Sequence, residues 1–227
     1  MKFAKTREAG KKFLSHEEVK KILDDYHLPI VREGVATTAD EAIRISNTIG
    51  YPIVLKILSP DISHKTEAHG VKLNLRSGRE VEEACSDLLT KLRTYQSGAK
   101  AEGFLIQEMV EDGIETIVGL HQDPTFGPVL MFGIGGVWVE LLRDISFRVL
   151  PIHRLDAIDM VEEIKGSHLF KGFRGKPPLD TDSLHEILLS VSRLGSDLPE
   201  IQEMDLNPVF VREHGTLIAD ARIIVGL

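Results

Sequence analysis

The sequence predicts an α/β (α+β) protein of two lobes, each built on a β-sheet with flanking helices. Two observations point there. In the first half, amphipathic helical stripes headed by Ser/Thr-x-x-Glu boxes alternate with short apolar strands. From Gly103 the texture turns strand-rich, with helices returning further on. The expected lobes are residues 1–110 and 111–227.

"LSHEEVKKILDDYHLPI" opens with a box of Ser15 and Glu18, and Val19, Ile22, Leu23 and Tyr26 follow at helical spacing. "IVREGVA" reads as a strand. "TTADEAIRISNTIGYP" repeats the device, with Thr38 and Glu41 as the box, Ala42, Ile45, Ser46 and Ile49 as the face, and Gly50 as the stop. "PIVLKIL" reads as a buried strand, and "GVKLNL" as a half-exposed one with Val71, Leu73 and Leu75 on one side. A third box, Ser77 and Glu80, starts a helix whose stripe is Val81, Ala84, Cys85, Leu88 and Leu92.

Beyond Gly103, "GFLIQEMV", "IETIVGLHQ" and "PVLMFGIGG" read as strands joined by tight turns. Helices are expected near "RLDAIDMVEEIKG" and "DSLHEILLSVSRLG", with the Gly/Pro-rich loop "FKGFRGKPPLDTD" between them. The end, "IQEMDLNPVFVREHGTLIADARIIV", reads as a strand and a hairpin turning at "REHG". A cleft between two such lobes is a common place for a small-molecule site.

The composition, 42% apolar and 27% charged over 227 residues, is that of a globular chain. A formal net charge of −8 argues against nucleic acid or an anionic membrane surface as a general partner. Phosphate-bearing ligands would have to be met by local Lys, Arg, backbone N–H groups or a metal ion. One cysteine, Cys85, excludes an internal disulfide and a Cys-based zinc site. The basic start lacks an apolar h-region and no run is long enough to span a bilayer, so a cytoplasmic setting is expected.

Lys56 stands inside an apolar strand. It is either an edge lysine whose stem snorkels to water or a counter-charge for phosphate. Glu108 ends one strand and Glu115 lies in the next. They are either solvated acids or, with the Glu108–Val110 backbone and Met109, groups that read an adenine edge and ribose hydroxyls. Gly133, Gly135 and Gly136 form a tight turn or let backbone N–H groups approach a phosphate, but they are not G-x-G-x-x-G, so a dinucleotide-binding Rossmann reading has no support. Glu140 and Arg148 flank them and pair as a salt bridge in the simplest reading.

Asp205 and Asn207 alternate on one strand face and Asp220 lies on the returning arm. Three oxygen donors can converge there, as Mg²⁺ requires, or form a polar hairpin mouth. "SPDISHKTEAHGVKLNL" sets Ser63, His64, Lys65 and His69 in a loop. A loop histidine with one ring nitrogen free and the other held by an acceptor is a nucleophile toward phosphorus; a plain surface turn is the other reading.

Four blocks, "PIVLKILSPDISHKTEAHGVKLNL", "IQEMVEDGIETIVGL", "MFGIGGVWVELLRDISFRVLPI" and "EMDLNPVFV…GTLIADARI", occur in this order. Together they closely resemble the β subunit of ADP-forming acetyl-CoA synthetase (acetate–CoA ligase). That family has an ATP-grasp fold and belongs to the nucleotide-forming acyl-CoA synthetase superfamily. The resemblance runs from about residue 12 to the end.

It implies a reversible reaction in which acetyl-CoA or another acyl-CoA, ADP and phosphate give the free acid, CoA and ATP. It further implies nucleotide bound in the cleft between the lobes and Mg²⁺ as cofactor. By the resemblance His64 is a phosphohistidine relay, Lys56 the phosphate lysine, Glu108, Met109 and Val110 the adenine hinge, and Glu115 the ribose acid. Arg148 matches a phosphate contact, Asn207 and Asp220 metal ligands, and Asp205 a carboxylate near histidine and metal. The position of His69 is commonly glycine in this family. The partner implied is an α subunit with the CoA-binding and acyl-phosphate-forming domains, in a heterotetramer of two α and two β subunits. The competing readings are another ATP-grasp carboxylate ligase working through acyl phosphate, and a non-catalytic nucleotide-sensing subunit.

Overall fold

The computed structural model describes residues 13–59, 70–136, 144–172, 175 and 177–226. In chain order the elements are α1 (His16–Asp25), β1 (Glu33–Ala36), α2 (Ala39–Ile49), β2 (Ile53–Leu58), β3 (Val71–Leu75), α3 (Gly78–Tyr95), β4 (Gly103–Glu108), β5 (Ile114–Asp123) and β6 (Gly127–Ile134). Then come β7 (Ile145–Val149), α4 (Arg154–Glu163), a 3₁₀ helix (Lys165–Lys171), α5 (Thr181–Asp197), β8 (Ile201–Val211), β9 (Thr216–Ile218) and β10 (Ala221–Val225). Among the described residues no helix is long and apolar enough to cross a membrane.

All three boxes start helices, but they close differently. Ser15 accepts from the Glu18 amide while Glu18 accepts from the Ser15 amide, the full reciprocal box. Thr38 and Ser77 cap the amides of Glu41 and Glu80 in the same way. Their glutamates instead accept from the amides one residue earlier, Thr37 and Arg76.

The chain forms two compact units: Val31–Glu111, and the described residues up to Ile30 together with those from Asp112 onward. The first lobe expected at 1–110 thus differs from the smaller unit in its first thirty residues. The reason is α1, whose Val19, Ile22 and Leu23 join the same apolar core as β8 and β10. Full burial of such side chains is worth roughly 1.5–3 kcal/mol each, enough to fix where the helix packs. Tyr26 adds a hydrogen bond to Asp197 on α5, 3.2 Å long. Burial, and next that bond, push the phenol up to about 12.

In the smaller unit four antiparallel strands run in the order β1-β4-β2-β3. Helices α2 and α3 cover one face over a core that includes Ile53, Leu55, Ile57, Phe104, Ile106, Val81 and Leu88. The stripe expected in β3 is interrupted: Ile53 pairs with Leu75 but Leu55 with Lys72, and Asn74 takes φ +60°. That bulge turns Leu73 away from its neighbours and leaves it 63% exposed.

In the larger unit the sheet order is β10-β8-β5-β6-β7, with β9 also paired to β8. One face carries the core, in which Val118, Leu120, Leu130, Phe132, Met204 and Leu206 meet Met160 of α4 and Leu188 of α5. Strand β7, an edge strand absent from the sequence reading, puts Ser146 on this side and leaves Phe147 and Val149 exposed on the other.

Candidate functional site

The acids at the chain's end sit where β8 changes partners. Met204 and Leu206 are buried, so Asp205 between them points to the sheet face opposite the helices, and the exposed Asn207 follows on that side. Strand β5 pairs Thr116 with Val209 but Val118 with Leu206, so Asn207 and Pro208 bulge opposite Ile117. Bulges of this kind re-aim side chains at functional positions. The Asn207 amide donates to the Asp220 carbonyl at 3.1 Å, and Ala219 donates to Pro208 at 3.0 Å, which locks the two arms side by side. The turn at "REHG" forms as expected, with Arg212 donating to the Gly215 carbonyl at 3.1 Å.

Glu115, exposed, precedes the fully buried Thr116, whose hydroxyl donates to Val209 at 2.8 Å. Its side chain therefore shares the Asp205 face. The Gly135 amide donates to the Glu115 carbonyl at 2.7 Å, and a Cβ on Gly135 would lie only 3.0 Å from the Glu115 carbonyl carbon. Gly136 follows at φ +67°, with the Glu115 carboxylate 3.7 Å from where its Cβ would be. Glycine suits both positions for different reasons: at Gly135 a Cβ would crowd the Glu115 backbone, and at Gly136 the positive φ is one that side chains rarely adopt. Asp144, missed in the sequence reading, accepts from the amides of Lys165 and Gly166 at 2.8 and 2.7 Å and ties the start of β7 to the 3₁₀ helix.

Arg148 lies apart from this group. Its cross-strand neighbour is the core residue Leu130, so it faces the helices. Both terminal nitrogens bind Glu163 of α4 at 2.8 Å. That hydrogen bonding holds the Glu163 carboxyl below its usual range. Glu140, the partner expected for Arg148, is outside the described residues.

In the smaller unit Lys56 is no edge lysine. Its strand runs between β4 and β3, and Lys56 is 7% exposed on the face opposite the helical core, with Leu105 as its β4 partner. A buried ammonium requires anionic or polar company, as a phosphate-binding lysine has. At the end of β4 the Glu108 amide donates to Arg32 and the Met109 amide to Pro52, at 2.9 and 3.2 Å. The Glu108 carboxylate accepts from both the Arg32 amide and Arg32 Nε. The sequence marks Arg32 only as part of a strand, its one signal being a basic residue just ahead of an edge strand. His64, with Ser63, Lys65 and His69, lies outside the described residues.

Among the described residues no group of three or more His, Cys, Asp and Glu forms a metal cage. The Asn207–Asp220 pair is instead an open set of one amide oxygen and one carboxylate. This fits Mg²⁺, which keeps waters and takes phosphate oxygens alongside one or two protein ligands.

The ATP-grasp domain family matches residues 5–225. The separate β subunit of acetate–CoA ligase (ADP-forming) I from Pyrococcus furiosus is 43% identical over 212 residues, covering 93% of this chain and 91% of that one. Acetate–CoA ligase (ADP-forming) I of Archaeoglobus fulgidus is 45% identical over 205 residues, 90% of this chain, which spans 30% of that protein's length. Among solved structures, dinucleotide-forming acetyl-coenzyme A synthetase 1 of Candidatus Korarchaeum cryptofilum, with coenzyme A, Ca-AMPCP and HgCl⁺, matches with TM-score 0.93 at 43% identity, covering 98% of this chain and 97% of that one. Another structure of that protein holds coenzyme A and Mg-AMPPCP with its phosphohistidine segment pointing towards the nucleotide binding site; it matches with TM-score 0.83 at 41% identity, over 98% of this chain and 97% of that one.

Proposed function

Because the chain belongs to the ATP-grasp family, among the β subunits of ADP-forming acetate–CoA ligases, we propose that it is the nucleotide-handling subunit of an ADP-forming acyl-CoA synthetase. The overall reaction is acyl-CoA, ADP and phosphate to free acid, CoA and ATP, run in either direction. One observation carries this reading: the correspondence covers 93% of this chain and 91% of a β subunit that is itself a separate chain.

The chain's own step is phosphoryl transfer. A neutral His64 nitrogen attacks the phosphorus of a phosphohistidine on the α subunit; the new N–P bond forms as the old one breaks. A β-phosphate oxygen of ADP then attacks the His64 phosphoryl group, giving ATP and returning the imidazole to its neutral form. Lys56 binds phosphate, the Glu108–Val110 segment with Met109 reads adenine, Glu115 binds ribose, and Gly135 and Gly136 offer backbone to phosphate. Asn207 and Asp220 hold Mg²⁺, and Asp205 is the carboxylate that accompanies the relay. Bound there, Mg²⁺ neutralises charge on the phosphates. Arg148, held by Glu163, has no part in this assignment. The α subunit supplies CoA binding and acyl phosphate, in a cytoplasmic heterotetramer of two α and two β subunits.

The test is to incubate wild type and His64→Ala with Mg²⁺, γ-labelled ATP and the α subunit, and to count acid-labile, alkali-stable label on this chain. Label on wild type alone supports the relay. Equal label on both moves the role to another histidine, and no label on either removes the relay altogether.

A further inference from the structure

We propose that Arg32 is a positioning residue that sets the base preference of the nucleotide site, by clamping Glu108 so that its carbonyl stays available to adenine. The proposal rests on the nucleotide-binding reading above and goes beyond it, to which base is bound and why.

The observation is a ladder that stops half-made. Strand β1 pairs antiparallel with β4, Glu33 opposite Gln107, and the next residues outward are Arg32 and Glu108. A hydrogen-bonded antiparallel pair exchanges two bonds, each amide giving to the other's carbonyl. Here only one of them forms: the Glu108 amide donates to the Arg32 carbonyl at 2.9 Å. The Arg32 amide is diverted to the Glu108 carboxylate, Oε1 at 2.8 Å. The guanidinium holds that carboxylate in place through Nε to Oε2 at 2.6 Å. The Glu108 side chain thus takes the donor that its own carbonyl would otherwise receive.

What remains at this strand end has a definite polarity. The Met109 amide is committed to Pro52 at 3.2 Å, and the Glu108 carboxylate to Arg32. The Val110 amide makes no hydrogen bond among the described residues. An acceptor, the Glu108 carbonyl, and a donor, the Val110 N–H, are left two residues apart. Adenine presents the complement, the N6 amino donor beside the N1 acceptor. Guanine presents the reverse, an O6 acceptor beside an N1–H donor. The same two main-chain groups therefore attract one base and oppose the other.

Without the guanidinium, the carboxylate loses its anchor and the Arg32 amide is free to complete the ladder to the Glu108 carbonyl. The acceptor for adenine is then spent. Arg32 is 66% exposed on its side chain and outside both cores, so its replacement leaves the fold intact.

The experiment measures Kd for Mg-ADP and Mg-GDP on the full chain by competition against a fluorescent ADP analogue. It uses wild type, Arg32→Ala, Glu108→Ala, the double variant and Arg32→Lys. Arg32→Ala is expected to weaken ADP about tenfold, the size of one well-formed hydrogen bond, and to leave GDP within about twofold. Glu108→Ala gives the same loss, the double variant no more than either, and Arg32→Lys recovers part of it by keeping a cation beside the carboxylate. Equal weakening of ADP and GDP assigns Arg32 a merely structural role and overturns the inference. So do an unchanged ADP/GDP ratio and losses that multiply in the double variant. Wild type binding neither nucleotide would sink the nucleotide reading itself, a result distinct from all of these.

Discussion

The main-chain amide of Asn207 donates to the carbonyl of Asp220, 3.1 Å away, at the point where β8 leaves β10 and takes up β9. The bond sets Asn207 of β8 beside Asp220 in the link between β9 and β10, next to a bulge, with Asp205 on the same sheet face as Asn207. Backbone pairing fixes where the two residues stand on the chain's fold.

Replacing Asp220 with Ala, or Asn207 with Ala, is expected to lower ATP formation by the assembled enzyme about 10²–10³-fold, comparable to loss of one preorganised charge-stabilising group. Raising Mg²⁺ should recover part of the loss. Steady-state rates against Mg²⁺ concentration check this; an Asp220→Ala variant with a wild-type Mg²⁺ profile excludes Asp220 as a ligand.

Arg148→Met should leave nucleotide affinity unchanged and cost about 0.5–1 kcal/mol of stability, since the Glu163 pair is partly exposed and screened by solvent. Denaturant unfolding and ADP binding on the same sample separate the outcomes. A large loss of ADP affinity with unchanged stability would return Arg148 to the phosphate contacts.

Asp144→Ala removes the acceptor for two amides from a side chain that is buried at the start of β7. Leaving those donors without it is expected to cost about 1–3 kcal/mol. The check is the unfolding midpoint of the variant against wild type, read by far-UV circular dichroism. No change would mean that the 3₁₀ helix holds its place without Asp144.

His185 on α5 is buried, and desolvation lowers its pKa against the opposing pull of Asp182. Folding therefore favours the neutral ring. The contribution is complete above the unfolded-state value of about 6.5 and is lost as pH falls from there towards the lower folded value. Wild type should lose more stability than His185→Gln between pH 7.5 and pH 5.5, about one unit on each side of that value. Parallel pH dependences in the two proteins would contradict the assignment.

Much of the architecture was legible in the chain. Local signals carried it: a Ser or Thr oxygen that caps the next turn's amides, a 3.6-residue apolar period, and the turn at Arg212–Gly215. Residue type singled out the unusual groups in apolar context, Lys56 and then Asp205, Asn207 and Asp220; the structure adds that Lys56 is buried and that Asn207 and Asp220 are joined through their backbones. Less legible were groups whose role comes from a partner far along the chain. Leu73 keeps the alternation in sequence, yet the bulge at Asn74 spoils it. Arg148 stands close to the glycine turn in sequence but faces the opposite side of the sheet, because strand alternation sends it to Glu163.

By itself the sequence determined the helices, most strands and the chemical inventory, since caps, periodicity and charge act over a few residues. Only the tertiary structure decided that α1 belongs with the C-terminal strands, that Asn207 lies beside Asp220, and that Glu108 is clamped by Arg32. Each of those depends on strand register and on the burial of distant apolar faces. Both are settled by packing free energy summed over the whole unit, which no short window of sequence contains.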